Sequence, residues 1–442
     1  MEEIQFESLY PDDAMHDQVE KLAEFVKRGM SSQVIGLPGT GKSTLLKLLA
    51  YNTGIRTKHF GAEQKNFHFV YMDFSEIKKR PMLDVVKFII VSLAYSLQER
   101  GLTQQSKQIN TFLQEALPLQ DELILFQALK KSVDFLTQEG FSLIFLFDRF
   151  DQYLPDITEH FFINLKVLRN RAKYKFSAVF SLSRPLDMLV EPHIISEFYD
   201  SVAGNTIFMP LSDLTGLAFR LSYLEKLSGK TIDKKVFENI LHLTGGHNKL
   251  THTAIEAVLS ERESPMNLEE FLLKRRQIQA TLYGLWEYLT PHEKAHLKNM
   301  TSDELAGDED IIFLTHAGLI AQNGEILIPL FSGYIDALKN TGSQTLEFKP
   351  ETNEIYKGEE NITQNLSPSE FRILRFLIQN KDRVLEKDAI IQAVWKDTKT
   401  QEGVTDQALD QIIYRLRKKI EDNPNDPHHL QTMKGKGYKF SI

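Results

Sequence analysis

Gly36-Leu37-Pro38-Gly39-Thr40-Gly41-Lys42-Ser43 follows the spacing G-x-x-x-x-G-K-[ST], with a short apolar run before it and a helical pattern after it. Residue types in that order suit one kind of chemistry. Glycines let successive backbone N–H groups turn inward around a phosphate, and the positive end of the following helix favours the same anion. Gly36, Pro38, Gly39, Thr40, Gly41, Lys42, Ser43 and Thr44 are therefore the candidate contacts to ATP or ADP. Lys42 is expected to reach the β- and γ-phosphates, and the Ser43 hydroxyl to ligate Mg²⁺.

Such a site needs a carboxylate at the end of a neighbouring strand. Asp148, directly after the apolar run Leu143 to Phe147, is best placed, which makes Ser43 and Asp148 the metal-facing pair. Arg149 stands where a general base would be useful, and the next carboxylate, Asp151, is the candidate to orient water. A site without a close base is expected to hydrolyse slowly. Arg184 ends another strand on the same side and is read as a γ-phosphate contact, with a structural ion pair as the alternative. Arg169 and Arg171 are candidates to act in trans in an oligomer, with solvated helix-end residues as the alternative. In Thr244-Gly245-Gly246-His247-Asn248 a Gly-Gly turn precedes a helix; His247 is read as facing the nucleotide, a plain helix cap being the other reading.

The elements that must position these groups follow from periodicity. Gln33 to Leu37, His68 to Asp73, Ser142 to Asp148, Ser177 to Ser181 and Thr206 to Phe208 read as short buried strands, with helical patterns between them, including Met82 to Leu97 and Leu123 to Thr137. Continuous apolar strands alternating with helices imply an α/β fold with a parallel sheet covered on both faces. After Pro210 the pattern is helical only. Asn323-Gly324 between apolar runs then signals a hairpin with a type I′ turn, which needs positive φ at both residues. The expected division is an ATPase core over residues 1–210, a helical lid over 211–278, a first winged helix over 279–340 with an acidic loop at 302–310, and a second over 344–442.

The first 340 residues resemble the STAND and archaeal-type AAA+ ATPases, the group that includes origin-licensing ATPases. Gly36 to Thr44, Leu143 to Asp148, Ser183-Arg184, Thr244 to Asn248 and a winged helix after the lid carry that resemblance. It implies a protein that holds ADP while closed, exchanges it for ATP on a trigger, and then opens or oligomerises. Arg149 and Asn248 depart from the family's usual acidic residue and proline.

In the last segment Leu409, Ile413, Leu416 and Ile420 share one helical face, with Arg415, Lys418 and Lys419 largely away from it, and Met433 to Phe440 reads as a basic glycine hairpin. Residues 346–442 resemble the OmpR/PhoB-type winged-helix DNA-binding domain through Leu366-Ser367-Pro368-Ser369-Glu370-Phe371, Val394-Trp395, Tyr414 to Lys419 and Gly435-Lys436-Gly437-Tyr438. The resemblance implies that the helix from Asp406 to Ile420 enters the major groove. Gln407, Gln411 and Tyr414 would then lie near base edges, with Arg415, Arg417, Lys418, Lys434 and Lys436 available for the backbone. A winged helix reused for protein contacts is the alternative.

Composition sets the outer limits. At ~150 residues per domain, 442 residues make a multidomain chain. The absence of cysteine excludes disulfides, thiol nucleophiles and Cys-ligated metal sites and points to a reducing cytoplasm. The acidic start and the lack of a long apolar run predict no signal peptide and no membrane partner. Net charge is -8, but residues 366–442 hold 14 Lys and Arg against 11 Asp and Glu, leaving an acidic body with a weakly basic end. These observations predict a nucleotide-switched ATPase coupled to DNA binding, in transcription or a phage or mobile-element response, with an unknown trigger and possible self-association on ATP binding. The alternatives are an oligomerising scaffold that recruits protein partners, and a DNA-loading ATPase akin to origin or transposition factors.

Overall fold

The computed structural model describes residues 5–261, 265–299, 309–341, 346–357, 360–395, 405–421, 424 and 427–441. Most of the expected acidic loop, residues 302–308, lies outside them. The chain divides into two compact units, Met1–Ile335 and Asp336–Ile442.

Five strands form the sheet of the first unit: β1 (Ser32–Ile35), β2 (Phe67–Asp73), β3 (Ser142–Asp148), β4 (Phe176–Leu182) and β5 (Thr206–Phe208). They are all parallel, in the order β2-β3-β4-β1-β5. Alternate residues enter two cores. Phe145 and Phe147 of β3 pack on one face with Val70, Met72 and Phe180, whereas Ile144 and Leu146 pack on the other with Phe69, Val34 and Val179. Burial on both faces is why these strands read as unbroken apolar runs rather than as alternating ones.

Helices α1 (His16–Lys27), α2 (Lys42–Tyr51) and α3 (Thr53–Phe60) serve the second face, and α4 (Met82–Glu99), α5 (Thr103–Ala116), α6 (Glu122–Gln138) and α7 (Glu159–Ala172) the first. After α8 (Leu186–Leu189) and α9 (Pro192–Tyr199) the chain completes the sheet with β5. It continues as a helical array of α10 (Leu214–Ser228), α11 (Lys234–Thr244), α12 (Asn248–Ser260) and α13 (Leu268–Leu273). Three helices follow, α14 (Arg276–Tyr288), α15 (Pro291–Asn299) and α16 (Glu309–His316), then a short hairpin and α17 (Pro329–Thr341).

That hairpin forms where Asn323-Gly324 placed it, with Ile320 bridging Ile326. Its turn differs from the expected type I′. Gly324 N–H donates to Ala321 O at 2.9 Å, Ala321 N–H donates to Glu325 O at 2.8 Å, and of the two turn residues Gly324 alone has positive φ, 84°. Three loop residues with glycine at the end need one left-handed position, not two.

The second unit contains an antiparallel sheet of β6 (Leu346–Lys349), β7 (Glu354–Lys357) and β8 (Glu360–Asn361). Helix α18 (Pro368–Gln379) follows, then β9 (Val384–Leu385), α19 (Lys387–Trp395), α20 (Asp406–Ile420), β10 (Leu430–Met433) and β11 (Gly437–Phe440). The last two strands form a hairpin whose β11 also pairs with β9. Among the described residues no helix is long and apolar enough to cross a membrane.

Candidate nucleotide and nucleic-acid sites

The glycine loop joins β1 to α2. Gly39 has φ 85°, and a Cβ there would stand 2.8 Å from both His247 Cε1 and Lys249 Cβ, so conformation and close approach both call for glycine. Lys42 opens α2 and folds back on the loop, its Nζ donating to Gly36 O at 2.5 Å and Leu37 O at 3.1 Å. Burial pushes this ammonium down to about 8, while the nearby carboxylates of Asp151 and Asp148 act in the opposite direction. Lys42, Asp148 and Asp151, separate in sequence, thus form one electrostatic cluster. Thr40 turns inward, its hydroxyl donating to Leu37 O at 2.9 Å.

Three consecutive residues at the start of α12 hold the loop from the lid side. His247 bonds Pro38 O at 2.8 Å, Lys249 N–H donates to Gly39 O at 3.1 Å, and Asn248 Nδ2 donates to Thr40 O at 2.7 Å. His247 is also the helix cap, because its Nδ1 accepts Leu250 N–H at 3.2 Å. With Nδ1 accepting, Nε2 carries the proton to Pro38 O, which assigns the neutral tautomer. One buried ring thus serves as the helix cap and bonds the glycine loop. In the sequence Asn248 stood out only as a departure from the family's proline and Lys249 not at all, although their position just after the Gly-Gly turn was the available signal. Gly245, φ 57°, closes that turn against the hairpin, where a Cβ would lie 2.1 Å from Leu327 O.

Burial pushes the His247 imidazole down to about 4. An unfolded histidine takes its proton near pH 6.5, the folded one only near pH 4, so between these values the unfolded state holds more protons. Stability conferred by this ring is complete above pH 6.5 and falls as pH drops toward 4. Denaturant midpoints at pH 7 and pH 5 are expected to differ less in His247→Gln than in the parent protein. An equal pH slope in the two would contradict this account of the ring.

Asp73 and Asp148 end β2 and β3 directly opposite each other in the register. Asp148 is fully buried and accepts the Tyr71 hydroxyl at 2.7 Å and the Arg149 N–H at 2.9 Å. Arg149 adopts φ 50°, a left-handed conformation uncommon for its type, and this places Phe150 in an aromatic core with Phe74, Phe147, Phe161 and Phe180. Its guanidinium lies 3.4 Å from Asp73. Asp151 accepts Ser183 N–H at 3.1 Å, which ties the β3 end to the β4 end.

Arg184, expected at a γ-phosphate, is bonded instead to Glu293 of α15, with Nη1 to Oε1 at 2.9 Å and Nη2 to Oε2 at 2.6 Å. The guanidinium also lies over the rings of Phe313 and Tyr288, at 4.5 and 5.1 Å. Glu293 has no solvent exposure, and a carboxylate buried to that extent requires a cation. Arg171, considered as a trans-acting group, pairs with Asp134 of α6.

In the second unit, Leu409, Ile413, Leu416 and Ile420 are buried as their spacing requires, and Gln407, Gln411, Tyr414, Arg415 and Lys418 are exposed along the rest of α20. Lys434 and Lys436 are exposed at the tip of the β10–β11 hairpin. Tyr438 anchors that hairpin to α20 by donating to Asp410 at 2.5 Å, and Lys387 reaches the same carboxylate at 2.8 Å.

Residues 360–440 match the family model described as "Transcriptional regulatory protein, C terminal". The phosphate regulon transcriptional regulatory protein PhoB of Escherichia coli is 34% identical over 98 residues, 22% of this chain and 40% of that protein. The C-terminal unit is an OmpR/PhoB-type winged helix. The chain spans about 40% of the length of the curated relative it matches there. Among solved structures, the Klebsiella pneumoniae RstA DNA-binding domain in complex with RstA box is 30% identical over 22% of this chain and 90% of its own, with a TM-score of 0.19. The Aeropyrum pernix ORC2 protein in its ADP form covers 83% of this chain and 93% of its own at 15% identity and a TM-score of 0.42.

Within the winged helix one residue expected at the DNA backbone is engaged inside the domain. Arg417 turns away from the exposed stripe, its Nε donating to Leu430 O at 2.8 Å and its Nη2 to the Thr432 hydroxyl at 2.7 Å. It holds β10 against α20. Lys419 likewise pairs with buried Glu370 at 2.6 Å, the acid that also closes the capping box of α18 with Ser367. Arg417 is half-buried and Lys419 exposed, both beside Lys418, which has no such hydrogen-bond partner among the described residues, so composition alone does not separate them.

Proposed function

We propose that this chain is an ATP-binding, slowly hydrolysing switch whose nucleotide state is passed to DNA binding by its OmpR/PhoB-type winged helix, in transcription or in a response to phage or mobile elements. The observation that carries the proposal is the clamp of His247, Asn248 and Lys249 on three successive carbonyls of the phosphate-binding loop. Nucleotide entering that loop needs Lys42 to leave the Gly36 and Leu37 carbonyls, and any adjustment of the loop is felt directly by α12. The lid is thus bonded to the loop that a nucleotide would enter.

The Ser43 hydroxyl and the Asp148 carboxylate are hard oxygen donors that fit Mg²⁺ with phosphate and water completing its shell. When bound, magnesium neutralises charge on the β- and γ-phosphates. Asp148 is kept in one orientation by Tyr71 and the Arg149 N–H. Asp151, held by Ser183 N–H, would orient water, while Arg149 supplies no base, which supports slow turnover.

On the DNA side, Gln407, Gln411 and Tyr414 face base edges, and Arg415, Lys418, Lys434 and Lys436 face phosphates. A surplus of three positive charges in residues 366–442 makes one copy a weak binder, so occupancy requires more than one subunit on the DNA. Arg415→Ala is expected to weaken binding and reduce the log–log salt slope by about 1, the value for one lost phosphate contact. Arg417→Ala is expected instead to lower the melting temperature of the domain. The converse pattern would overturn both assignments. The switch itself is tested by titrating labelled duplex DNA with ATP-loaded and ADP-loaded protein: unequal affinities are expected, and equal ones would dismiss the coupling.

A further inference from the structure

We infer that the groove along the outer edge of the β-sheet is a binding site for a small aromatic anion, a carboxylate or phosphate carried on a flat ring. The groove follows β2, the outermost strand, between the α2–α3 corner and α4, and has a volume of about 1210 Å³. That is room for a ligand of metabolite size.

Three cations line it, the exposed Lys65 and two arginines. Arg56 of α3 donates to Leu49 O, Ala50 O and the Thr53 hydroxyl, at 3.0, 2.6 and 3.0 Å. Arg100, after α4, donates through Nη1 to Phe67 O at 2.7 Å, while its buried Nη2 has no hydrogen-bond partner. Burial lowers Arg56 to about 9, with the Arg100 charge adding to the effect, and Arg100 to about 10, so both stay charged at neutral pH. Among the described residues no carboxylate forms an ion pair with either guanidinium. Three acids also line the groove and are otherwise placed: Asp73 faces Arg149 and accepts Ser75 N–H, and Glu76 and Glu99 are exposed.

Uncompensated burial of two like charges is unfavourable, and an anion reaching both relieves it. The walls add a second requirement. Tyr51, Phe69, Tyr71, Phe88 and Phe141 line the groove, and Tyr95 is left 62% exposed on its rim. Ring faces beside guanidinium groups suit a flat ligand better than a bare inorganic ion. The groove also reaches the nucleotide site, because Tyr71 lines it and donates to Asp148. An occupant therefore touches the residue that orients the magnesium-facing carboxylate, a consequence that rests on the proposed function, whereas binding itself does not.

Calorimetric titration of the full chain with phenyl phosphate, benzoate and inorganic phosphate tests the inference, with the first two separating a phosphate from a carboxylate ligand. At least one aromatic anion is expected to bind 10-fold or more tightly than inorganic phosphate. That binding should persist in Lys42→Ala, which disables the nucleotide loop, and weaken at least 10-fold in Arg100→Met and detectably in Tyr95→Ala. Arg100→Met should still bind ATP like the parent, and its melting temperature reports folding; Tyr95→Ala, at an exposed position, provides the second variant. Binding by neither aromatic anion, equal binding of inorganic phosphate, loss in Lys42→Ala, or full retention in both groove variants would each overturn the assignment. So would capture of an acidic peptide in place of either small anion. Loss of ATP binding by the parent protein, with the aromatic anion still bound, would instead reject the proposed function and leave the groove standing.

Discussion

Lys42→Ala is expected to reduce ATP turnover at least 100-fold and to remove stabilisation by nucleotide, without lowering the stability of the empty protein. The reasoning rests on two opposed effects at one ammonium. In the absence of nucleotide Lys42 is desolvated, its pKa pushed down to about 8, and satisfied only by the Gly36 and Leu37 carbonyls, so its removal relieves an unfavourable burial. Under the proposed function, the same ammonium would be the charge that meets the β- and γ-phosphates when nucleotide is present. Loss of one charge-assisted hydrogen bond costs about 1.5–3 kcal/mol, and loss of one preorganised transition-state contact typically costs ~10²–10³ in rate. Thermal unfolding with and without ATP reads both effects together. For the parent, a ligand at 100 times its Kd adds about 2.7 kcal/mol; for the variant the two melting curves should coincide. A variant that melts lower than the parent without nucleotide would show Lys42 to be a structural group.

The second large effect is expected at Glu293. Glu293→Ala leaves the Arg184 guanidinium, whose side chain is only 12% exposed, without its carboxylate, and breaking a buried pair from one side typically costs about 3–5 kcal/mol. Glu293 has another task that adds to the loss. Its carboxylate accepts Thr290 N–H at 2.7 Å, and its own N–H donates to the Thr290 hydroxyl at 3.2 Å, so Thr290-Pro291-His292-Glu293 is a capping box at the start of α15. The double variant Arg184→Ala, Glu293→Ala should therefore recover part of the stability lost in Glu293→Ala, but not the capping part. Denaturant unfolding of the parent, both single variants and the double variant gives the coupling energy. A double variant less stable by the sum of the two single losses would show that the groups act independently. Because this pair joins the end of β4 to the helix following the lid, its loss should also change how nucleotide occupancy affects the first unit.

Much of this was written locally in the chain. The phosphate-binding loop lies within eight residues whose dihedral needs are met by its own glycines, and β3 declares itself by a run of residues buried on both faces. The apolar stripe of α20 is likewise set by helical period, as the burial of Leu409, Ile413, Leu416 and Ile420 bears out. Helix α5 was harder to read, because its buried stripe reduces to Ser106, Ile109, Leu113 and Ala116 in an otherwise polar segment. The Thr290 to Glu293 capping box was legible in principle, but nothing local said that its acid would also serve an arginine 109 positions earlier.

The amino-acid sequence by itself thus determined the kinds of elements, their order and the conformation of the glycine loop, since each depends on backbone preference and on periodicity over a few residues. Only the tertiary structure decided the partners of the charged groups. Arg184 went to Glu293, Arg417 to the β10–β11 hairpin, Arg149 to Asp73, and Arg56 and Arg100 to a shared groove where, among the described residues, no carboxylate pairs with them. The reason is that a long charged side chain can be satisfied by whatever polar group folding brings within a few ångströms, and that proximity is set by packing between segments distant in the chain.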